Sequence, residues 1–592
     1  MKLNAAQQEA VDFYEGCCSV MAAAGSGKTR TLVERIAKLI QAHNVDPNNI
    51  LAITFSKKAA LTMQERLTDL LGEEQAEQIH VKTFHGFGYY IIKTYDTFHY
   101  TLLTQEWQQR KIIDDIIDKK CEEEGRERED YPSTSVILEE LSYIKNKGER
   151  YKGHQHEFFF RAYENYKKKH FMLDFDDMLV RAVWILENNP AALNACQETY
   201  RFILADEMQD TNAVQYHLLE LIASKYKNLF IVGDMMQSIY GFRASDNSFM
   251  KDFDSRWPGA KVIHLDTNYR STNTLVEFAN HFAVNVPESH HKHYVPVKAA
   301  KSDGLEPILW GFPYGIGEVE AITEQVKKYH EKGYEYKDMA ILCRVNEKLL
   351  MYEYYFANEF IPYDMVGSVG FSERAEIKLL INYLRLINNT TDDDAFRYIY
   401  CRPNRWLGKV FLDKLTAAAT KNKKSLFDAM EYIKDSKFRR GIKEIQNVVQ
   451  TMRKEKKKPV NEIMTSLREY LDLDDYITRQ LCDDIDNDRI ANMDRFIKIS
   501  EGLTLQDFLT RVQEVRTTKN ENGVHLMSIH KSKGLEFKIV FIVGVDDITF
   551  PHPRNLVEGE EMRLMYVAIT RAEEILHISF SGISKFTDML ES

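Results

Sequence analysis

Residues 17–40 read CCSVMAAAGSGKTRTLVERIAKLI, and this stretch decides the fold. Its head, CCSVM, is short, apolar and free of charge, as a strand buried on both faces of a parallel sheet is. AAAGSGKT (22–29) follows as a glycine-rich turn. TRTLVERIAKLI then brings Leu32, Val33, Ile36, Leu39 and Ile40 onto one helical face. Strand, glycine turn and helix in that order make a cradle for phosphate. Gly25 and Gly27 let backbone N–H groups turn towards an anion where a side chain would obstruct it. Ala24, Ser26 and Arg30 complete the turn. Lys28 supplies positive charge for β- and γ-phosphates, the Thr29 hydroxyl is a ligand for Mg²⁺, and the helix adds its positive end. Ala22 stands where the strict pattern has glycine.

Outward from this stretch, ILAITF (50–55), RFILADE (201–207) and LFIVGD (229–234) have the same buried-strand character. Strands alternating with helical sequence predict an α/β layer with a parallel sheet. From about 86 to 195 the pattern becomes long, charged and helical, which reads as an insertion into the first α/β domain. Strand candidates return as DMAILCR (338–344), VHLMSIH (524–530), FKIVFIVGV (537–545) and ILHISF (575–580). A second helix-rich stretch, about 376 to 519, interrupts them. The fold class is therefore α/β, with two parallel-sheet cores each split by a helical insertion.

Bulk properties agree. A chain of 592 residues is too long for one core. With 44% hydrophobic and 28% charged residues it reads as globular and soluble. No apolar run reaches the roughly 20 residues that span a bilayer, and the N-terminus lacks a signal-peptide core. Seven cysteines without a CxxC read as reduced thiols in a cytoplasmic protein. The net charge of −11 argues against a nucleic-acid binder in general, although a positive groove on an acidic protein suffices.

ADE (205–207) ends the strand after the first insertion. Asp206 is placed to hold Mg²⁺ and Glu207 to polarise an attacking water. These residues together specify a nucleoside triphosphatase and no more.

ILADEMQDTNAVQY (203–216), IVGDMMQSIYGFRAS (231–245) and LDTNYRS (265–271), in that order, resemble the UvrD/Rep/PcrA group of superfamily 1 DNA helicases. The resemblance runs along nearly the whole chain, through LNAAQ (3–7), TFSKKAA (54–60), TFHGF (83–87), CRVN (343–346), GFSERAEIKLLINYLRLI (370–387), SIHKSKGLEF (528–537) and EEMRLMYVAITRA (560–572). It implies two RecA-like motor domains: 1A over 1–85 and 195–264, with insertion 1B over 86–194, and 2A over 265–375 and 520–592, with insertion 2B over 376–519. It also implies an ATP- and Mg²⁺-dependent motor moving 3′ to 5′ on single-stranded DNA and opening single/double-strand junctions, with no membrane partner. The same resemblance gives Gln7 the adenine edge, Tyr269 a stacking role on adenine and Glu536 a nucleotide contact. Gln237 becomes the γ-phosphate sensor, and Arg270 and Arg571 arginine fingers. Phe55, Phe84, His85, Tyr240 and Phe242 would face the strand, with Lys57, Lys58, Arg243 and His530 beside them; stacking on unpaired bases needs flat faces and phosphates need cations.

The sequence departs from the group at three places. Lys57 stands for the usual Asn, Met235–Met236 for acidic or Pro neighbours of Gln237, and Phe242 for Trp. The 2B insertion reads as short, the chain ends soon after Arg571 without room for a nuclease domain, and RPNRWLGK (402–409) resembles the group's glycine-containing duplex-backbone turn. An alternative function is a DNA-activated ATPase serving as sensor or regulatory subunit of a larger complex; a nucleotide-binding module without turnover is a third. YKKKH (166–170) reads as a helix surface, Asp176 and Asp177 as structural, and His290, His291 and His293 as loop residues without metal-ligand spacing.

Overall fold

The computed structural model describes residues 2–591 apart from 313–316, 347, 367–372, 481–485, 519, 554–558 and 583. Gly370, Phe371 and Ser372, at the head of one quoted motif, and Cys482 lie outside the described residues. The chain divides into two compact units, residues 1–312 with 532–592, and residues 313–531.

In the first unit, six parallel strands form one sheet: β1 (Cys18–Ala22), β2 (Ile50–Thr54), β3 (His80–Thr83), β4 (Phe202–Ala205), β5 (Leu229–Gly233) and β6 (Lys261–Leu265). Their spatial order is β3-β2-β4-β5-β1-β6. Every residue of β1, β2, β4 and β5 is buried, the mark of strands covered on both faces. The edge strands β3 and β6 are only half-buried and carry no continuous apolar run. That is why the sequence pattern shows the four inner strands and passes over the two outer ones.

Helix Lys28–Gln41 buries the five predicted apolar residues against this sheet, together with Arg35, whose guanidinium lies 4.3 Å from the centre of the Phe230 ring. The register pairs Val20 with Val232 and Ala205 with Ile231. The carboxyl ends of β1, β4 and β5 therefore finish side by side, where open α/β sheets place their ligands.

Helices occupy the stretch between β3 and β4, from Phe84–Tyr95 to Pro190–Thr199. A buried charge cluster joins three of them. Lys167 Nζ lies 2.5 Å from both Asp174 Oδ2 and Asp177 Oδ2 and 2.9 Å from Glu164, while Lys145 Nζ reaches Asp177 and Glu164 at 2.6 Å each. Burial works to raise the Asp174 carboxyl, but the two ammonium groups outweigh it and hold it well below the usual carboxylate range. Lys167 is thus 1% exposed, so it alone of 166–170 turns inward, while Tyr166, Lys168, Lys169 and His170 are exposed as a helix surface is. It shares a buried face with Phe160 and Tyr163, seven and four residues earlier, so helical periodicity overrides the local run of lysines. Asp176 and Asp177 are structural: Asp176 accepts from Asn146 Nδ2 at 3.0 Å. His291 and His293 face Asp252 and Asp254 at 3.9 and 3.3 Å.

Also in this unit, strands Ile308–Phe312 and Phe537–Val545 each run parallel to Ala572–Ser581. The almost wholly buried helix Glu560–Ile569 leads into the last of these strands and delivers Arg571 at its end. In the second unit, Met339–Cys343 and Tyr363–Met365 each run parallel to Val524–Ser528. Its helices, from Ala375–Asn388 to Leu505–Thr518, close on an apolar core containing Leu380, Leu384, Phe396, Phe411, Ile445 and Met464. No helix among the described residues is long and apolar enough to cross a membrane.

Candidate active site and strand-contact surface

The candidate phosphate cradle begins with the chain's first described residues. Asn4 caps helix Ala5–Asp12 in a reciprocal pair with Gln7, and Gln7 Nε2 donates to the Ser26 carbonyl at 2.9 Å. Gly25 and Gly27 both adopt left-handed backbone conformations, φ +69° and +81°. A Cβ on Gly25 would meet Arg270 Cβ at 2.8 Å, so only glycine lets the LDTNYRS strand end close over the turn. Tyr269 N donates to the Gly25 carbonyl at 2.9 Å, and the Tyr269 hydroxyl accepts from Asn4 Nδ2 at 2.8 Å. Ala24 and Ser26 are buried, and Ser26 Oγ makes no hydrogen bond. Arg30 turns along the helix towards Glu34 at 3.8 Å.

Lys28 Nζ rests on the Ala22 carbonyl at 3.1 Å and 3.7 Å from Asp234 Oδ2. Thr29 Oγ1 lies 3.5 Å from Asp206 Oδ2. Burial and the neighbouring Glu207 push the Asp206 carboxyl up to about 7. Burial acts on Glu207 too, but Lys533 and Lys28 outweigh it and hold it below the ordinary carboxylate value. The two carboxyls are thereby pushed apart, and the one kept ionised is Glu207. Glu207 occupies the left-handed region at φ +54° and accepts from Gln209 Nε2 at 2.5 Å. A non-glycine residue held there is strained and marks a position where geometry is imposed.

Gln237 is bound at both ends of its amide. Its Nε2 donates to Asp234 Oδ2 at 2.7 Å, and its Oε1 accepts from Arg571 Nη2 at 3.1 Å. The rest of the Arg571 guanidinium donates to the Val567 and Leu535 carbonyls at 2.9 and 3.1 Å. Burial, with Arg270 nearby, pulls Arg571 down to about 9. Arg270 donates to Glu536 Oε2 at 2.6 Å and to the Thr570 carbonyl at 3.0 Å. Lys28, Asp206, Glu207, Gln237, Arg270, Glu536 and Arg571 thus belong to one connected polar region.

Several further residues build this region. Asp234 links Lys28 to Gln237. Lys533 Nζ donates to both Asp210 oxygens, at 2.8 and 2.6 Å, and to the Gln237 carbonyl at 2.6 Å. Asn268 Oδ1 accepts from the backbone of Arg270 and Ser271 at 2.7 and 2.9 Å. Arg563 Nε donates to the Ser238 carbonyl at 2.5 Å, and its Nη1 donates to both Glu288 oxygens at 2.9 and 3.0 Å. Asp234, Asn268, Lys533 and Arg563 all lie inside quoted motifs; Glu288 carries no local signal.

The segment after Ser238 holds the rings. Phe55 and Tyr240 stack at 5.5 Å with planes 15° apart, and Phe242 meets Tyr240 edge-on at 6.0 Å. The Arg243 guanidinium sits 5.5 Å from each of the Tyr240 and Phe242 rings. Phe242 is 56% exposed, and Lys57 and Lys58 are exposed at the start of helix Lys57–Leu71. His85 meets Phe175 edge-on at 6.1 Å, and burial pulls its pKa down, so it stays neutral. Phe84 does not join this surface. At 3% exposure it points into the core as the first residue of helix Phe84–Tyr95, and its ring is not offered to a strand. His530, half-buried, falls in the second unit within Ile529–Ser532.

The family model for the UvrD/REP helicase N-terminal domain matches residues 3–258, and that for the UvrD-like helicase C-terminal domain matches residues 263–582. The chain is similar to the ATP-dependent DNA helicase PcrA of Staphylococcus aureus (strain MRSA252), 34% identical over 98% of this chain and 83% of that protein. It is equally similar to the protein of that name from Staphylococcus epidermidis (strain ATCC 12228 / FDA PCI 1200), 34% identical with the same coverage. With both domain models matched along its length and this identity to PcrA proteins, the chain belongs to the UvrD-like helicase family.

Proposed function

We propose that this chain is an ATP-driven motor that moves 3′ to 5′ along single-stranded DNA and separates duplexes at single/double-strand junctions. The observation that carries the reading is the Arg571–Gln237 hydrogen bond at 3.1 Å. Gln237 stands one residue before Ser238 and the ring-bearing segment with Tyr240, Phe242 and Arg243, so hydrolysis and strand grip share one short stretch of backbone.

Within this reading, Gly25, Ser26, Gly27 and Lys28 cradle the phosphates, with the unsatisfied Ser26 hydroxyl as a further donor. Gln7 and Tyr269 take the base, and Glu536 the nucleotide from the far side. Thr29 and Asp206, oxygen donors of the kind a hard cation takes, would hold Mg²⁺, which when bound offsets phosphate charge. Glu207, ionised at neutral pH, polarises the attacking water. Arg270 and Arg571 meet charge that develops in the transition state. Phe55, Tyr240 and Phe242 stack on unpaired bases while Lys57 and Arg243 meet phosphates; His85 and His530 serve as further strand contacts. The domain division into 1A (1–85, 195–264), 1B (86–194), 2A (265–375, 520–592) and 2B (376–519) belongs to this proposal.

The test is strand displacement with ATP on duplexes carrying a 3′ tail, a 5′ tail or no tail. Opening of the 3′-tailed duplex alone is expected, and opening of only the 5′-tailed one would reverse the polarity. Failure on every substrate with strand-stimulated turnover intact would make the protein a DNA-activated ATPase. Glu207→Gln is expected to bind ATP and strand while losing hydrolysis.

A further inference from the structure

Gln209 lies in the short turn Met208–Asp210, directly after the acid pair, and is wholly buried. Its amide is held at both ends. Asp234 N donates to Gln209 Oε1 at 2.9 Å, and Gln209 Nε2 donates to Glu207 Oε2 at 2.5 Å. A backbone N–H can only donate, so the amide end that faces Asp234 is the oxygen and the end that faces Glu207 is the NH₂ group. That group also reaches Asp210 Oδ2 at 3.5 Å. No other described residue hydrogen-bonds the Glu207 carboxylate. The fit is close: a Cβ at Gly233 would collide with Gln209 Oε1, so glycine before Asp234 is what admits the amide.

The main chain of the same residue makes a second tie. Ser238 Oγ donates to the Gln209 carbonyl at 3.1 Å. Residues 234–238, the turn that carries Gln237, therefore hang on Gln209 at both ends, Asp234 on its amide and Ser238 on its carbonyl. Tyr240, Phe242 and Arg243 follow Ser238 within five residues. Glu207 opens the turn Met208–Asp210 and has the left-handed backbone at φ +54°. A shift of the ring-bearing segment thus pulls on the turn that both carries Glu207 and aims its carboxylate. Aim matters, because a reacting group misplaced by about 1 Å loses on the order of 10²-fold in rate.

We propose that Gln209 is a positioning residue for hydrolysis: its amide aims the Glu207 carboxylate, and its carbonyl, through Ser238, makes that aim respond to the strand. The proposal rests on the helicase reading and names the residue that joins its two halves. Gln209 acts through Glu207.

The experiment uses the full chain, ATP and a labelled single-stranded oligonucleotide of mixed sequence. Gln209→Met keeps the length of the side chain and removes both polar ends of the amide. Its strand-stimulated kcat is expected to fall on the order of 10²-fold, with KM for ATP and affinity for the oligonucleotide unchanged. In a Glu207→Gln background, followed in single turnovers, the same substitution is expected to cost nothing further, because there is no base left to aim. Ser238→Ala is expected to lower the ratio of strand-stimulated to unstimulated kcat, and it tests the second tie by itself should Gln209→Met not fold. Near-normal kcat in Gln209→Met would overturn the proposal, as would an equal further loss in the Glu207→Gln background or an unchanged ratio in Ser238→Ala. Stimulation of the wild type by the oligonucleotide separates the two readings. If it is present and the variants match the wild type, only the role of Gln209 fails. If it is absent, the helicase reading fails and takes this role with it.

Discussion

Removing the Arg563 guanidinium with Arg563→Met tests how the proposed strand-contact segment is held. Arg563 grips the Ser238 carbonyl at 2.5 Å on one side and both oxygens of Glu288 on the other. Glu288 is 5% exposed, so losing its cation leaves a buried carboxylate with only Asn247 Nδ2 at 2.8 Å and Lys251 at 3.9 Å. Breaking a buried pair costs about 3–5 kcal/mol, and the two remaining partners place this case at about 3 kcal/mol, or roughly 150-fold in an opening equilibrium. The readout is hydrogen exchange of a peptide covering 234–245, where Arg243 N and Ala244 N donate to the Tyr240 and Gly241 carbonyls at 2.9 Å each. Exchange is expected to accelerate towards that factor, and strand-stimulated turnover to fall while nucleotide affinity holds. Because the penalty lies mainly in the orphaned charge, adding Glu288→Gln should recover part of the loss. Unchanged exchange in Arg563→Met, or a double variant worse than the sum of the singles, would refute the clamp.

Arg571→Ala and Arg270→Ala should each cut turnover strongly, in the ~10³–10⁵ range of arginine fingers, with a smaller effect on nucleotide affinity; single-turnover kinetics with separate binding measurements checks this. Phe242→Ala should lose ~1–3 kcal/mol of strand binding and uncouple turnover from unwinding, whereas Phe242→Trp should keep both; fluorescence anisotropy over a salt series reads the first and strand displacement the second. Lys167→Met leaves Asp174 and Asp177 with Lys145 alone, so about 3 kcal/mol of local stability should go from the helical stretch before β4, seen as faster exchange or proteolysis within 134–188 while the β1–β6 sheet stays protected.

The candidate nucleotide side of the site shows in the sequence because its proposed chemistry is written in contiguous residues. The turn Gly25–Thr29 and the pair Asp206–Glu207 each sit at the end of a strand whose burial shows as an unbroken apolar run. Edge strands β3 and β6 were not legible, because a strand with one free side mixes polar and apolar residues. The burial of Phe84 and Lys167 does not show in the sequence for another reason. A ring beside His85 and a lysine in a run of three take their roles from which helical face they occupy, and both fall on the inner one. Asp234, Asn268, Lys533 and Arg563 lie within the family motifs, yet their parts follow from contacts that the motifs do not spell out.

From the sequence alone came the parallel α/β cores, the proposed phosphate cradle, the acid pair and the order of the motifs, since these depend on local periodicity and on residue types at short spacing. Tertiary structure alone decided what joins them. Arg571 meets Gln237 across 334 residues of chain, Lys533 meets Asp210 across 323, and Arg563 meets Glu288 across 275. No local pattern encodes a contact of that separation; it exists because sheet order and the docking of helix Glu560–Ile569 bring the two ends of the first unit to the same carboxyl edge. The pull of Arg571 down to about 9 and the push of Asp206 up to about 7 arise there too, because burial and neighbouring charge are properties of the folded surroundings.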